Sequence, residues 1–313
     1  MTDLGIRTAG LTKYYGDQRG IEDLNLEVRQ GEIFGFVGPN GAGKTTTMRL
    51  LLGLLRPTSG SLELLGASGP GDLRRARARV GYMPGDMSLY QNLTGMALLR
   101  YLGRLRGGVP VRAIHTLSER LELDLSRHVH DLSRGNRQKL GVVQAFMHQP
   151  DLLVLDEPTS GLDPVVQQEF AGLVHESVNR GAAVLLSSHV LAEVEELADR
   201  VGIVIDGRLG VVDRVDALKQ RSSHQLVMEF PQPVGVAAFS RLPGVRSVEA
   251  RDTTVSCTVV GPMTTMLATA VRLGVLSVVS REPDLERIFL DLVAGGDGNG
   301  VGANHGAVAR HVA

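Results

Sequence analysis

The sequence is short of what several large protein classes require. It holds one cysteine, Cys257, among 313 residues, so no internal disulfide can form, which suits a reducing compartment. No stretch approaches the roughly 18 apolar residues of a membrane span. The longest apolar runs, such as Leu152 to Leu155, are short and flanked by charge, as buried strands are. Met1 to Gly10 shows no basic region leading into an apolar core, so no secretory signal is visible. Charge of one sign is missing too: 33 Lys and Arg stand against 34 Asp and Glu, a net charge of −1. The molecule as a whole is therefore no electrostatic magnet for nucleic acid or anionic lipid. What remains is a globular composition, 43% hydrophobic and 21% charged, on a chain long enough for two domains. If such a chain serves a membrane process, another polypeptide crosses the bilayer.

Three zones are expected: residues 1–221 with phosphate-binding motifs in strand and helix alternation, an accessory α+β domain over 222–294, and a tail over 295–313. The tail carries six glycines in nineteen residues and too little apolar surface to order itself; its His305 and His311 read as solvated. In the first zone, Leu24 to Val28 alternates like a half-exposed strand, Ile33 to Val37 is an apolar strand, and Lys44 to Leu55 has helical spacing. Leu152 to Leu155, Ala183 to Leu186 and Val201 to Ile205 are apolar on both faces, as a sheet covered on both sides requires. In the second zone, strands at 225–230, 245–250, 253–259 and 275–280 and helices at 234–242 and 263–273 give a β-α-β-β-α-β, ferredoxin-like order. An amphipathic helix over 284–293 would close it.

Gly38-Pro39-Asn40-Gly41-Ala42-Gly43-Lys44-Thr45 fits G-x-x-x-x-G-K-[ST] between a strand and a helix. Glycines let backbone N–H groups curl around a phosphate without Cβ clashes, and the following helix adds positive charge at its N-terminus. Lys44 would reach the β- and γ-phosphates of ATP, and the Thr45 hydroxyl would ligate Mg²⁺. A glycine-rich turn matching by accident arises on the order of one time in a hundred in a chain this long. Leu152 to Leu155 then ends in Asp156 and Glu157. Strand C-termini of a doubly wound sheet open onto the ligand crevice. Asp156 there suits Mg²⁺, a hard cation, and Glu157 suits proton acceptance from an attacking water. The plainer reading of the two acids is an N-cap before a helix.

Pro158 to Pro164, Ser187-Ser188-His189 and Leu132 to Lys139 complete a set of ordered motifs that resembles ABC-type ATPases, in particular the drug-exporter branch typified by daunorubicin-resistance ATPases. The resemblance covers about residues 4–220 and extends to Pro283–Leu292. It implies a P-loop NTPase cassette of the α/β class, with a mostly parallel core sheet, an antiparallel β edge and a helical subdomain. It also implies residue roles. Tyr15 matches the aromatic that stacks on adenine, with Tyr14 as the alternative. Thr46 joins Gly38 to Thr45 in holding nucleotide. Ser133 and Gly135 match the signature that touches the γ-phosphate held by the other subunit, with Ser133 a good N-cap for a helix over Arg134 to Met147. Asp163 matches the loop coupling the two sites, and His189 the residue that contacts the γ-phosphate and holds the attacking water. Two departures stand out. Gly85 replaces the glutamine usual in Gly81 to Asp86, leaving Asp86 as a possible oxygen donor, and the signature reads Leu-Ser-Arg-Gly-Asn, with Arg134 and Asn136 substituted.

The resemblance implies ATP and Mg²⁺, a homodimer of cassettes formed on ATP binding, and a separate multi-span permease reached through Asp86 to Leu99. The chain would work at the cytoplasmic face of the cell membrane, powering export of a drug, antibiotic or similar small molecule. Two alternatives stay open. One is a soluble ABC ATPase acting on ribosome or DNA; one phosphate loop and no long heptad coiled coil speak against it, and Arg74, Arg75, Arg77 and Arg79 read as a solvated face rather than a nucleic-acid site. The other is a nucleotide-gated switch with weak hydrolysis, prompted by Gly85 and Asn136.

Overall fold

A computed structural model describes residues 3–87, 89–221 and 224–281. The chain divides into two compact units, Met1–Leu218 and Lys219–Ala313. The expected helix over 284–293 and the tail over 295–313 lie outside the described residues.

The first unit opens on three strands, β1 (Leu4–Tyr15), β2 (Gln18–Leu24) and β3 (Glu27–Arg29). It continues through β4 (Ile33–Val37), α1 (Lys44–Leu51), β5 (Ser59–Leu64), α2 (Pro70–Ala78) and β6 (Val80–Met83). Three helices follow, α3 (Gly95–Leu105), α4 (Val111–Arg120) and α5 (Arg134–Phe146). The unit then alternates: β7 (Leu152–Asp156), α6 (Pro164–Asn179), β8 (Ala183–Ser188), α7 (Leu191–Leu197), β9 (Arg200–Ile205) and β10 (Arg208–Arg214), and α8 (Val215–Arg221) spans the boundary between the units.

Six strands form one sheet in the order β10-β9-β4-β8-β7-β6. Neighbours from β9 to β6 run parallel, and β10 closes the edge antiparallel. The reason is visible in single strands. Leu152 and Val154 of β7 join one core, with Phe34 and Phe36 of β4, while Leu153 and Leu155 join the opposite core, with helix residues such as Leu98, Ile114 and Leu140. Successive side chains point to opposite faces, so a strand that is apolar throughout needs cover on both. A second, antiparallel sheet gathers β2, β3 and β5 around β1.

The expected strand over 24–28 is broken between β2 and β3. Asp23 lies in the left-handed region at φ 49°. The Asn25 side chain accepts from the Gly10 amide at 2.8 Å and donates to the Asp23 carbonyl at 3.0 Å, competing with the ladder for backbone partners. Helix α1 stops at Leu51, short of the expected Leu55, because Gly53 turns left-handed (φ 71°) just past its end.

The second unit holds β11 (His224–Glu229), β12 (Val245–Arg251), β13 (Thr254–Val259), α9 (Thr264–Arg272) and β14 (Ser277–Arg281). The strand order is β12-β13-β11-β14, antiparallel throughout, around a core with Met228, Phe230, Phe239 and Cys257. This is the ferredoxin-like arrangement with one correction. The helix expected over 234–242 is a single 3-10 turn at Val236–Ala238, confined between Pro233 and Pro243, which restrict the residues before them.

Candidate functional site

The site is built where β4, β7 and β8 end. Beyond β4 the chain turns through Gly38 to Gly43 into α1. Gly41 and Gly43 take φ of 82° and 105°, and Gly43 is the residue that caps α1; a side chain there would be strained. The loop, with Tyr15, Gly20, Lys44, Thr46 and Glu157, lines a cleft of about 350 Å³, within the size range of small-molecule sites. Gly38 permits a close approach as well: a Cβ there would sit 2.3 Å from the Val204 carbonyl oxygen.

Lys44 is 6% exposed. Its ammonium lies back on the loop, donating to the Gly38 and Pro39 carbonyls at 2.6 and 3.2 Å. Burial pushes the amine below its ordinary range, while the Glu157 and Asp156 carboxylates oppose that push. The Thr45 hydroxyl donates to Asp156 Oδ2 at 2.8 Å, and Ser187 donates to Asp156 Oδ1 at 2.5 Å. Asp156 is 4% exposed. Thr45 and Asp156 thus offer two hard oxygen donors side by side. Among the described residues no cluster of three or more His, Cys, Asp or Glu could hold a metal by itself. Two protein oxygens fit Mg²⁺, which keeps waters and takes substrate phosphates as its remaining ligands.

Glu157 follows β7 with φ of 48°, unusual for a residue with a side chain. Its amide donates to the Ser187 carbonyl at 3.1 Å. Its carboxylate oxygen stands 3.0 Å from His189 Nδ1. Thr159 and Ser188 both donate to Glu193, at 2.5 and 3.1 Å, tying the segment after Glu157 to α7.

Tyr15 lines the cleft, is 45% exposed and has its hydroxyl 3.4 Å from Thr46 Oγ1. Tyr14 instead donates to Glu22 at 3.0 Å, so of the two tyrosines Tyr15 is the one presented to the cleft. Ser133 caps α5 by accepting from the Asn136 amide at 3.2 Å. Asp163 caps α6 by accepting from the Val165 and Val166 amides. Neither Ser133, Gly135 nor Asp163 is among the residues lining the loop cleft. Gly85 lies beside the metal-type donors: a Cβ there would meet Asp156 O and Oδ2 at 3.4 and 3.6 Å. Arg75 pairs with Asp72, Arg77 donates to the Leu51 carbonyl and Arg79 pairs with Asp151, so three arginines of the basic cluster have internal partners.

Two residues gained no role from the sequence. Ser187 was visible only as the start of Ser-Ser-His. Gln138 is 5% exposed and donates to the carbonyls of Glu157 and Pro158 at 3.0 and 3.1 Å; a polar residue inside the buried stripe of α5 was the available signal.

The sequence profile of the family described as ABC transporter matches residues 21–160. The bacitracin transport ATP-binding protein BcrA of Bacillus licheniformis is 40% identical over 228 residues, 72% of this chain and 74% of that protein. The Nod factor export ATP-binding protein I of Rhizobium johnstonii is 33% identical over 300 residues, 93% of this chain and 96% of that protein. The solved dimeric structure of a bacterial ABC transporter cassette superposes with a TM-score of 0.60 at 21% identity, covering 67% of this chain and 98% of that one.

Proposed function

This chain belongs to the ABC transporter ATP-binding family, and from that premise we propose that it binds and hydrolyses ATP to power export of a drug, antibiotic or similar small molecule through a separate multi-span permease. The observation that carries the chemistry is convergence. Lys44 and Thr45 open α1, while Asp156, 111 residues on from Thr45, ends β7 and Glu157 follows it; Lys44, Thr45 and Glu157 line one glycine-lined cleft, and Asp156 is joined to it through Thr45. The export reading is supported by relatives named for bacitracin transport and Nod factor export.

The mechanism follows from the chain's own groups. The Gly38–Gly43 amides and the start of α1 hold the phosphates, and Lys44 leaves its loop carbonyls to pair with the β- and γ-oxygens. Tyr15 gives a π-face to adenine. Thr45 and Asp156 would hold Mg²⁺, which would neutralise charge building on the phosphates. Glu157 accepts the proton of the attacking water, and His189, 3.0 Å from it, orients that water and the γ-phosphate. Ser133, Gly135 and Asp163 act across a dimer on the partner's nucleotide. The first turn of α5, where Ser133 takes up the Asn136 amide, directs its remaining backbone N–H groups and positive end toward an anion. The dimer formed by a solved cassette of the same fold supports this arrangement.

Among the described residues no helix is long and apolar enough to cross a membrane, and membrane passage is assigned to the permease. Its docking surface is placed on Asp86–Leu99. There Tyr90, 60% exposed, packs edge-on to Tyr101 at 5.8 Å between ring centroids, while Met87, Leu89 and Leu93 pack on the core beneath. On this reading the chain works at the cytoplasmic face of the cell membrane. One observation favours a weakly hydrolysing switch: Gly85 brings no side chain to Asp156. The ATPase rate of the chain, alone and reconstituted with its permease, separates the readings. A stimulated rate that vanishes in Glu157→Gln supports the motor, and absence of hydrolysis under both conditions supports the switch.

A further inference from the structure

Helix α5 touches more than its own helical neighbours. Its first two turns lie along residues 157–161, the segment that begins with the candidate water-activating acid. Three contacts fix it there. Arg134 donates to Ser160 Oγ at 3.1 Å. Gly135 is so close that a Cβ would sit 2.8 Å from the Gly161 carbonyl oxygen. Gln138 sends its amide to the Glu157 and Pro158 carbonyls at 3.0 and 3.1 Å. Both acceptors are backbone oxygens, so the NH₂ end of that side chain must face them, and with two acceptors both its hydrogens are used.

What Gln138 holds is a strained position. Glu157 sits at φ 48°, a region that costs a residue with a Cβ about 1–2 kcal/mol and persists only where surrounding bonds over-determine it. On one side the Glu157 amide is fixed by the Ser187 carbonyl at 3.1 Å and the Ser187 hydroxyl at 3.3 Å. On the other side its carbonyl is fixed by Gln138. Releasing either bond frees the peptide planes that aim the carboxylate, and His189 Nδ1, 3.0 Å from it, would lose that partner.

We propose that Gln138 is a positioning residue for ATP hydrolysis: it sets the backbone of Glu157 from α5, so that displacement of the α3–α5 helices shifts the acid that activates water. This rests on the functional reading above. The route is direct, since α5 packs with α3 and α4 in one core and the proposed permease surface lies on the same body. Binding of nucleotide by Gly38–Thr45 does not depend on it.

The test uses the purified full chain and measures ATP affinity and turnover separately. Gln138→Met keeps the shape and removes both donors; Gln138→Asn keeps the amide and falls one methylene short. Both are expected to lower kcat about tenfold or more, the scale of a sub-ångström to 1 Å misplacement, with the Kd for ATP changed less than twofold. Unchanged kcat in both variants overturns the inference and leaves the ATPase reading standing. Loss of affinity in step with loss of turnover overturns it too by showing a general structural role. A parent chain that turns over no ATP removes both.

Discussion

Acid should unload a defined part of this protein's stability through one histidine. His148 follows α5 with its Nε2 3.3 Å from the Val80 carbonyl and 3.0 Å from an Arg106 guanidinium nitrogen. Its Nδ1 is buried with no hydrogen-bond partner among the described residues. Burial first, and Arg106 second, push its pKa from 6.5 down to about 4, against smaller opposing pulls from the Val80 carbonyl and Asp151. The fold therefore favours the neutral ring. Between pH 6.5 and 4 the unfolded chain takes up the proton and the folded one resists, so this stability is complete above 6.5 and is lost as pH falls toward 4. At 1.36 kcal/mol per pH unit the loss is about 3 kcal/mol at most, or about 6–12 °C in melting temperature for a unit of this size. The comparison is the melting temperature of parent and His148→Gln across that range. Glutamine offers a donor for Val80 and an acceptor for Arg106, yet has no proton to gain. The variant should lose less stability on acidification by about that margin, and parallel curves would refute the argument.

Three further outcomes are expected. Tyr15→Ala should weaken ATP binding about tenfold or more, the value of one base–aromatic stack, while Tyr14→Phe, which loses only the Glu22 contact, should leave titrations with a fluorescent nucleotide unchanged. Gly135→Ala forces a Cβ against the Gly161 carbonyl oxygen at 2.8 Å; melting should show about 1–3 kcal/mol of overpacking, with turnover reduced. Gly85→Gln should fold normally, since its Cβ meets Asp156 only at ordinary contact distance, and its amide beside that carboxylate should lower the Mg²⁺ concentration needed for half-maximal turnover.

The parts legible in the sequence were those where local chemistry and tertiary need coincide. Leu152 to Asp156 reads as a covered strand ending in an acid because each residue is required by one of two cores, and the glycine loop reads from its own backbone demands. The failures have equally specific causes. Asn25 satisfies backbone groups that an uninterrupted strand would have used, and side-chain alternation does not reveal that. The 234–242 segment has helical spacing, but Pro243 disfavours helical backbone at the residue before it, and the segment forms a 3-10 turn at Val236–Ala238. Gln138 and Ser187 gained no role because their partners lie 19 and 31 residues away, and hydrogen bonds to a backbone carbonyl or a buried carboxylate leave no periodic trace. Ser133 and Asp163 were read from family likeness; in the single chain they are helix caps apart from the loop cleft.

The central claim is that a triphosphate is held by the turn from Gly38 to Thr45 and that Lys44 carries part of that hold. Calorimetric titration of Mg-ATP into the full chain and into Lys44→Ala tests it most directly. Loss of a charge-assisted hydrogen bond predicts about a tenfold or greater drop in affinity, with turnover abolished. Equal affinity and equal turnover in the two proteins would contradict it.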